Sequence, residues 1–278
     1  MICGDSVSNT DALKSITGTI VLAGAGKMGG AMLTGWLAGG FDPKRVIVVE
    51  PYPSDEIKAL VAKGVRLNPA AVAADTLVVA VKPQTFREAG PMLKPFVGAS
   101  TLVVSIMAGT KIAALEEVCG GMAVRAMPNT PAAIGRGITV AVPAKNVSAA
   151  QRATADALVR AIGSVEWVED ERLMDAVTAV SGSGPAYVFL LAEELARAGI
   201  KAGLPAELAT KLARETVAGS GELLHRSDQP AATLRQNVTS PGGTTAAALE
   251  VLMGSDGLQP LMIRAIAAAT KRSIELAK

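Results

Sequence analysis

Short apolar runs and helical spacing alternate over the first part of the chain. Runs dominated by Val, Leu, Ile and Ala lie at residues 20–23, 46–49, 76–81, 102–106 and 124–127. Such runs are typical of strands that are covered on both faces, whereas the stretches between them repeat apolar residues at helical spacing. The alternation predicts an α/β fold with a doubly wound parallel sheet, whose ligands bind beyond the carboxyl ends of the strands.

A glycine-rich turn joins the first predicted strand to the first predicted helix. Gly24 permits the turn, Gly26 lets a pyrophosphate approach the backbone, and Gly29 allows the helix to pack closely on the strand. The second strand ends at Glu50, 21 residues after Gly29, where an acid that binds a ribose is expected. The spacing therefore predicts a dinucleotide site of the Rossmann type, and the alternative is a purely structural turn.

Beyond Trp167 the strand pattern stops, and helical periodicity continues to the end of the chain. These helices are rich in alanine and apolar over much of their circumference. We expect a partner subunit to cover them, with an intramolecular core as the alternative. The sequence thus predicts a mobile N-terminal extension over residues 1–18, a dinucleotide-binding Rossmann domain over residues 19–170, and an all-helical substrate-binding and dimerisation domain over residues 171–278.

Glu50 also bears on which dinucleotide is bound. An acid at this position accepts hydrogen bonds from the ribose hydroxyls of NADH and repels the 2′-phosphate of NADPH. The turn over residues 51–54 contains no arginine, so the residues favour NADH. The alternative is that the side chain of Glu50 turns away to solvent.

Composition excludes several classes of function. The chain has 27 Lys and Arg against 25 Asp and Glu, a net charge of +2, and only 3% aromatic residues, which argues against nucleic-acid and membrane-surface binding. Cys3 and Cys119 are too few for a disulfide framework, and His225 is the single histidine. We therefore expect no metal site, no histidine-based triad and a cytoplasmic protein whose chemistry comes from its cofactor.

Two segments within the helical region combine small and hydroxylated residues. They are Ser181–Tyr187, with the sequence SGSGPAY, and Asn237–Thr245, with the sequence NVTSPGGTT. Each precedes a predicted helix and can present backbone N–H and hydroxyl donors to a carboxylate. Ordinary capped loops between helices are the alternative.

Five motifs together resemble the pyrroline-5-carboxylate reductase family, the last enzyme of proline synthesis. They are GAGKMG at 24–29, AVKPQ at 80–84, RAMPNTPA at 125–132, SGSGPAY at 181–187 and NVTSPGGTT at 237–245. The resemblance implies hydride transfer from NADPH or NADH to L-1-pyrroline-5-carboxylate, giving L-proline. It also implies a helical domain that interlocks with a second subunit, in a homodimer that assembles into larger rings.

The resemblance further implies which residues contact the cofactor. Ala25, Lys27 and Met28 are expected along the pyrophosphate, and Asn68 near the adenosine. The remaining expected cofactor contacts are Gly24, Gly26, Gly29, Glu50, Ala80, Val81, Lys82, Pro83, Met107, Ala108 and Asn237. Members of the family commonly prefer NADPH, so the Glu50-Pro51 pair departs from the pattern and leaves the choice between NADP and NAD open.

The resemblance also implies a substrate site in the 237–245 loop, supplied at a dimer interface. Ser240, Gly243 and Thr244 are expected to hold the substrate carboxylate, and Thr245 to direct its hydroxyl to the ring nitrogen as the catalytic group. Glu171 is a further expected substrate contact.

Two other functions remain as alternatives. A β-hydroxyacid dehydrogenase pairs a similar nucleotide domain with a helical one, but places a catalytic lysine after a glycine-rich turn, and residues 185–189 contain none. A non-catalytic nucleotide-binding protein would lack a second constellation such as the 237–245 loop.

Overall fold

The computed structural model describes residues 9–277, which form two compact units. The first unit contains the described residues up to Gly182 together with those from Thr270 onward, and the second is Ser183–Ala269. This division falls beyond the predicted boundary at residues 170/171, because Met174 is fully buried against Val140 and Val142 of the first unit. Residues 1–8 of the predicted extension, including Cys3, lie outside the described residues.

An eight-stranded sheet forms the centre of the first unit. Its spatial order is β3-β2-β1-β4-β5-β6-β7-β8, and neighbouring strands are parallel except for β6 and β7. The strands are β1 Ile20–Ala23, β2 Val46–Val49, β3 Arg66–Leu67, β4 Ala74–Val79, β5 Val97–Ser105, β6 Met122–Met127, β7 Gly137–Pro143 and β8 Gly163–Trp167. Ala23 of β1 pairs in register with Val49 of β2 and with Val79 of β4, so these three carboxyl ends are level at the point where the strand order reverses.

The predicted parallel sheet is confirmed with one exception, the antiparallel pair of β6 and β7. Residues 128–136 join these strands through a short 3-10 turn, Thr130–Ile134. A parallel connection needs a crossover of about a dozen residues or more, usually a helix. The connection is too short for that, so β7 runs back beside β6.

Helices cover both faces of the sheet. The helices of the first unit are α1 Asn9–Ser15, α2 Lys27–Ala38, α3 Asp55–Ala59, α4 Phe86–Leu93, α5 Ile112–Val118, α6 Ala149–Arg160 and α7 Met174–Val177. On one face Leu22 packs in a core with Trp36 of α2, and on the other Val21 packs in a core with Phe86 of α4. Adjacent residues of one strand thus enter two different cores, which explains the unbroken apolar runs.

Residues 9–18 of the predicted extension pack against the first unit. Residues 9–15 form helix α1, and Leu13 and Ile16 are only 1% and 7% exposed in the same core as Trp36. These two apolar side chains anchor an otherwise polar segment. Arg45 adds a second attachment, because its guanidinium donates to the carbonyls of Ile16 and Gly18.

The second unit consists of helices. They are α8 Gly184–Lys201, α9 Ala206–Arg226, α10 Ala231–Asn237, α11 Thr244–Leu252 and the first part of α12, Leu258–Leu276. Large apolar side chains on these helices are exposed in the single chain, including Phe189 at 67% and Ile263 at 63%. Exposure of many large apolar side chains is typical of an interface between subunits.

In the described part of the chain, no helix combines the length and apolar character that a bilayer-spanning segment needs.

Candidate nucleotide and substrate sites

Gly24 and Gly29 bring the turn after β1 against the backbone after β4. Gly24 has φ +90°, and a Cβ there would lie 2.6 Å from the carbonyl oxygen of Ala80. A Cβ on Gly29 would collide with the carbonyl oxygen of Gly24. Neither position tolerates a side chain, as the turn and packing roles of these glycines require.

Gly26 differs from its two neighbours because it faces open space. A Cβ at Gly26 would meet nothing within 4 Å, and its φ of −70° is one that any residue adopts. The fold itself therefore does not require glycine here. The missing side chain leaves the backbone accessible to a ligand.

The N-terminus of α2 begins at this turn without a side-chain cap. Gly26 is the N-cap, and Gly30 donates the first intrahelical hydrogen bond to its carbonyl at 2.7 Å. The preceding amide groups have no partner within the helix, and the helix dipole adds positive potential. A groove of about 910 Å³ opens beside the turn and is lined by Ala25, Gly26, Lys27, Ile57 and Ala133, among others. Such a helix start is suited to an anion.

The carboxylate of Glu50 lies against the same turn. Its Oε2 accepts a hydrogen bond from the Ala25 amide at 2.9 Å, and its Oε1 accepts one from the Tyr52 amide at 3.0 Å. The alternative in which Glu50 turns away to solvent is therefore wrong. The side chain links the end of β2 to the glycine-rich turn.

Asn68 fixes the backbone of Glu50. Its Oδ1 accepts from the Glu50 amide at 2.8 Å, and its Nδ2 donates to the Glu50 carbonyl at 2.9 Å. Asn68 has φ +48°, a left-handed conformation that asparagine tolerates better than most residues. The two residues predicted at the adenosine end thus lie together at the carboxyl end of β2.

The loops after β4 and β5 lie at the same edge. The Ala80 amide donates to the Ala23 carbonyl at 2.7 Å, and the Ile106 amide donates to the Val79 carbonyl at 3.0 Å. Ala80 and Val81 thereby lie beside the glycine-rich turn, and the predicted residues Lys82, Pro83, Met107 and Ala108 follow at the same edge of the sheet. The side chain of Met107 is buried in the core, so the residue presents its backbone at this edge.

Glu171 makes an ion pair that the sequence did not reveal. Its Oε1 accepts from Nη1 of Arg125 and from the Ile112 amide, both at 2.9 Å. The Arg125 side chain is only 4% exposed in the middle of the sheet, where a charge needs a partner. The sequence feature that could have indicated this ion pair is the arginine within the predicted strand 124–127, because a buried charge needs a partner. Glu171 thus joins β6, the start of α5 and the segment before α7, and its contact with substrate stays a prediction.

The loop between α10 and α11 gathers the predicted substrate residues of the second unit. Gly242 has φ +69°, and the Gly243 amide donates to the Ser240 carbonyl at 3.1 Å. Gly243 is the N-cap of α11 and forms no side-chain cap. Thr244 and Thr245 therefore begin a nine-residue helix whose first amides have no intrahelical partner.

Asn237, in the same loop region, is the predicted cofactor contact of the second unit. Its Nδ2 donates to Oε1 of Gln229 at 3.2 Å. This bond orients the side chain within the unit, and its role at a cofactor stays a prediction.

The SGSGPAY segment has a packing role at its start. Residues Thr178–Gly182 form a π-helical turn, and the Ser181 hydroxyl donates to the Val177 carbonyl at 3.0 Å. A Cβ on Gly182 would lie 2.5 Å from Cε of Met127. The hydroxyl proton of Ser181 is thus already used in a hydrogen bond within the turn.

The Cys119 thiol and the His225 imidazole occupy positions that the fold explains without a catalytic role. Burial raises the pKa of the Cys119 thiol to about 11, so it stays protonated at neutral pH. His225 lies in the last turn of α9, where the helix dipole favours a histidine. Among residues 9–277, no group of three His, Cys, Asp or Glu side chains is placed to hold a metal ion.

Protein-family models match both the N-terminal and the C-terminal part of the chain. Residues 171–276 match the model for pyrroline-5-carboxylate reductase dimerisation, and residues 19–109 match that for NADP oxidoreductase, coenzyme F420-dependent. The pyrroline-5-carboxylate reductase of Pseudomonas aeruginosa is 39% identical over 94% of this chain and 98% of its own length. The pyrroline-5-carboxylate reductase of Synechocystis sp. is 41% identical over 92% of this chain and 97% of its own length.

Solved structures agree. A pyrroline-5-carboxylate reductase from Coxiella burnetii has a TM-score of 0.84 and 35% identity, covering 95% of this chain and all of its own. The pyrroline carboxylate reductase of Plasmodium falciparum with NADP bound has a TM-score of 0.77 and 31% identity. The match covers 94% of this chain and 99% of that structure. A chain that is this similar to named reductases over nearly its whole length, and that carries the glycine-rich turn and the dimerisation region, belongs to the pyrroline-5-carboxylate reductase family.

Proposed function

We propose that this protein reduces L-1-pyrroline-5-carboxylate to L-proline with NADPH or NADH, the last step of proline biosynthesis. The observation that carries the proposal is a pair of uncapped helix starts, α2 behind the glycine-rich turn and α11 behind the hydroxyl-rich loop. The first suits a pyrophosphate and the second suits a carboxylate. The names of the similar reductases support the same reaction.

The residues at the carboxyl edge of the sheet fit a dinucleotide. The open backbone at Gly26 and the first amides of α2, on Lys27 and Met28, receive the pyrophosphate. Glu50 and Asn68 bind the adenosine end. The loops at residues 80–83 and 107–108 orient the nicotinamide, which supplies a hydride when the reduced cofactor is bound.

The loop before α11 binds the substrate. Ser240, Gly243 and the first amides of α11 hold its carboxylate, and the Thr245 hydroxyl hydrogen-bonds to the ring nitrogen. Hydride adds to the C=N carbon, the π-electron pair passes to nitrogen, and an iminium thereby becomes a neutral secondary amine. A protonated C=N needs no strong general acid, so alignment and fixed charge carry the catalysis, and such positioning supplies about 7 to 11 kcal/mol of a barrier.

The active protein is proposed to be a homodimer. The dimerisation region indicates a homo-oligomer, and the exposed apolar faces of α8 and α12 supply the surface. We further propose that dimers assemble into a larger oligomer, that the 237–245 loop completes the site at the dimer interface, and that the protein works in the cytoplasm.

Turnover of L-1-pyrroline-5-carboxylate tests the proposal directly. Purified protein should consume reduced nicotinamide, seen as loss of its absorbance, and yield an equal amount of proline. Omitting the imine is the control. A folded protein that binds dinucleotide yet reduces no cyclic imine would instead be a non-catalytic nucleotide-binding protein.

Gly24→Ala and Gly26→Ala form a matched pair that separates folding from binding. Gly24→Ala should lower the free energy of unfolding by about 2 to 4 kcal/mol, through backbone strain and the clash with Ala80. Gly26→Ala should cost less than about 1 kcal/mol, because its Cβ meets only open space. It should nevertheless weaken dinucleotide binding about tenfold or more, as measured by calorimetry. Unchanged binding by Gly26→Ala would contradict the pyrophosphate assignment.

Thr245→Ala tests the hydroxyl at the ring nitrogen. Loss of a hydrogen-bond partner that faces the reacting nitrogen should lower kcat/KM for the imine at least about tenfold. Thr245→Ser keeps the hydroxyl and should retain most activity, whereas Thr245→Val keeps the shape and should resemble alanine. Thermal unfolding and dinucleotide affinity serve as controls, and unchanged turnover and substrate affinity in Thr245→Ala would make the role wrong.

A further inference from the structure

We infer that the dinucleotide site of this chain selects NADH over NADPH, with Glu50 as the residue that determines the choice. The inference rests on the proposed function for the class of ligand. It goes beyond that function because the family accommodates NADP, which is bound in the Plasmodium falciparum structure.

Glu50 is held in place at both its backbone and its side chain. The amide and carbonyl of Glu50 are bonded to the Asn68 side chain, and each carboxylate oxygen accepts one backbone amide, from Ala25 or from Tyr52. These four bonds fix the carboxylate against the glycine-rich turn. Moving it away to admit a phosphate would leave the two amides without their acceptors.

The remaining acceptor positions match a ribose diol. An ionised carboxylate has about four lone-pair positions. The amides of Ala25 and Tyr52 occupy one on each oxygen, which leaves one on each. The adenosine ribose of NADH has two neighbouring hydroxyls, so each oxygen can accept one of them. In NADPH one hydroxyl is replaced by a phosphate, which has no proton to donate in its dianionic form and carries the same sign of charge as Glu50.

The surrounding residues offer little to offset that repulsion. Residues 51–54 contain neither lysine nor arginine. Lys58 is 2.9 Å from Asp55, and the Ser54 hydroxyl, which accepts from the Ile57 amide to cap α3, can offer a phosphate only an uncharged donor. Arg66 of β3 pairs in register with Ile47, three residues before Glu50, so roughly 10 Å of strand separates its backbone from the carboxyl edge.

Binding of the two dinucleotides to the full-length protein, without imine, tests the inference. Calorimetric titration should give a Kd for NADH at least about tenfold lower than that for NADPH, since like charges at close range oppose the second ligand. An equal or lower Kd for NADPH would overturn the inference and leave the proposed reaction intact. Binding of neither dinucleotide would overturn both. Selective NADH binding without turnover of the imine would support the inference and contradict the proposed reaction.

Glu50→Gln and Glu56→Gln test whether dinucleotide preference depends on a negative charge at position 50 or on any negative charge nearby. Glu50→Gln should raise the Kd for NADH and lower that for NADPH, which brings their ratio within about threefold of unity. Glu56 is an exposed acid in the first turn of α3, and Glu56→Gln removes the same charge. Glu56→Gln should change the ratio less than about twofold, because exposed charges are screened.

An equal shift of the ratio in both variants would overturn the assignment to Glu50. Thermal unfolding of each variant shows whether it is folded. If Glu50→Gln does not fold, the ratio of the two Kd values for the unmodified protein decides the inference.

Discussion

The close approach of the turn after β1 to the backbone after β4 is the contact on which the ligand-binding edge depends. It exists because Gly24 and Gly29 have no side chains, so the start of α2 packs directly on the ends of the parallel strands. The level register of β1, β2 and β4 brings the loops that follow them to that same point. The site is therefore a consequence of backbone packing first, and of side-chain chemistry second.

Two carboxylates then fix loops at the edge that packing alone would leave free. Glu50 holds the glycine-rich turn from the side of β2, and Glu171 holds the start of α5 while it neutralises the buried Arg125. Removing one member of a buried ion pair leaves the other charge buried without a partner. This loss of stability is larger than the net stabilisation that the intact pair provides. Each carboxylate is thus part of the scaffold that positions backbone donors, and Glu50 has acceptor capacity left for a ligand.

Features that follow from local sequence could be predicted, and features that depend on distant contacts could not. The strands covered on both faces, the glycine positions and the place of Glu50 follow from short-range pattern and chain stereochemistry. The ion pair of Glu171 with Arg125 joins residues 46 positions apart, and neither residue alone identifies the other. The anchoring of α1 by Leu13 depends on a core assembled from later strands and helices. The reversal of β7 follows from a connection whose length becomes informative only once both strands are known.

A crystal structure of the protein with NADH bound would show where the pyrophosphate and the adenosine ribose lie. We expect the pyrophosphate over Gly26 at the start of α2, with the Glu50 carboxylate still bonded to the Ala25 and Tyr52 amides and accepting one ribose hydroxyl on each oxygen. A pyrophosphate bound elsewhere, or a Glu50 side chain that has moved out of reach of the ribose, would contradict it.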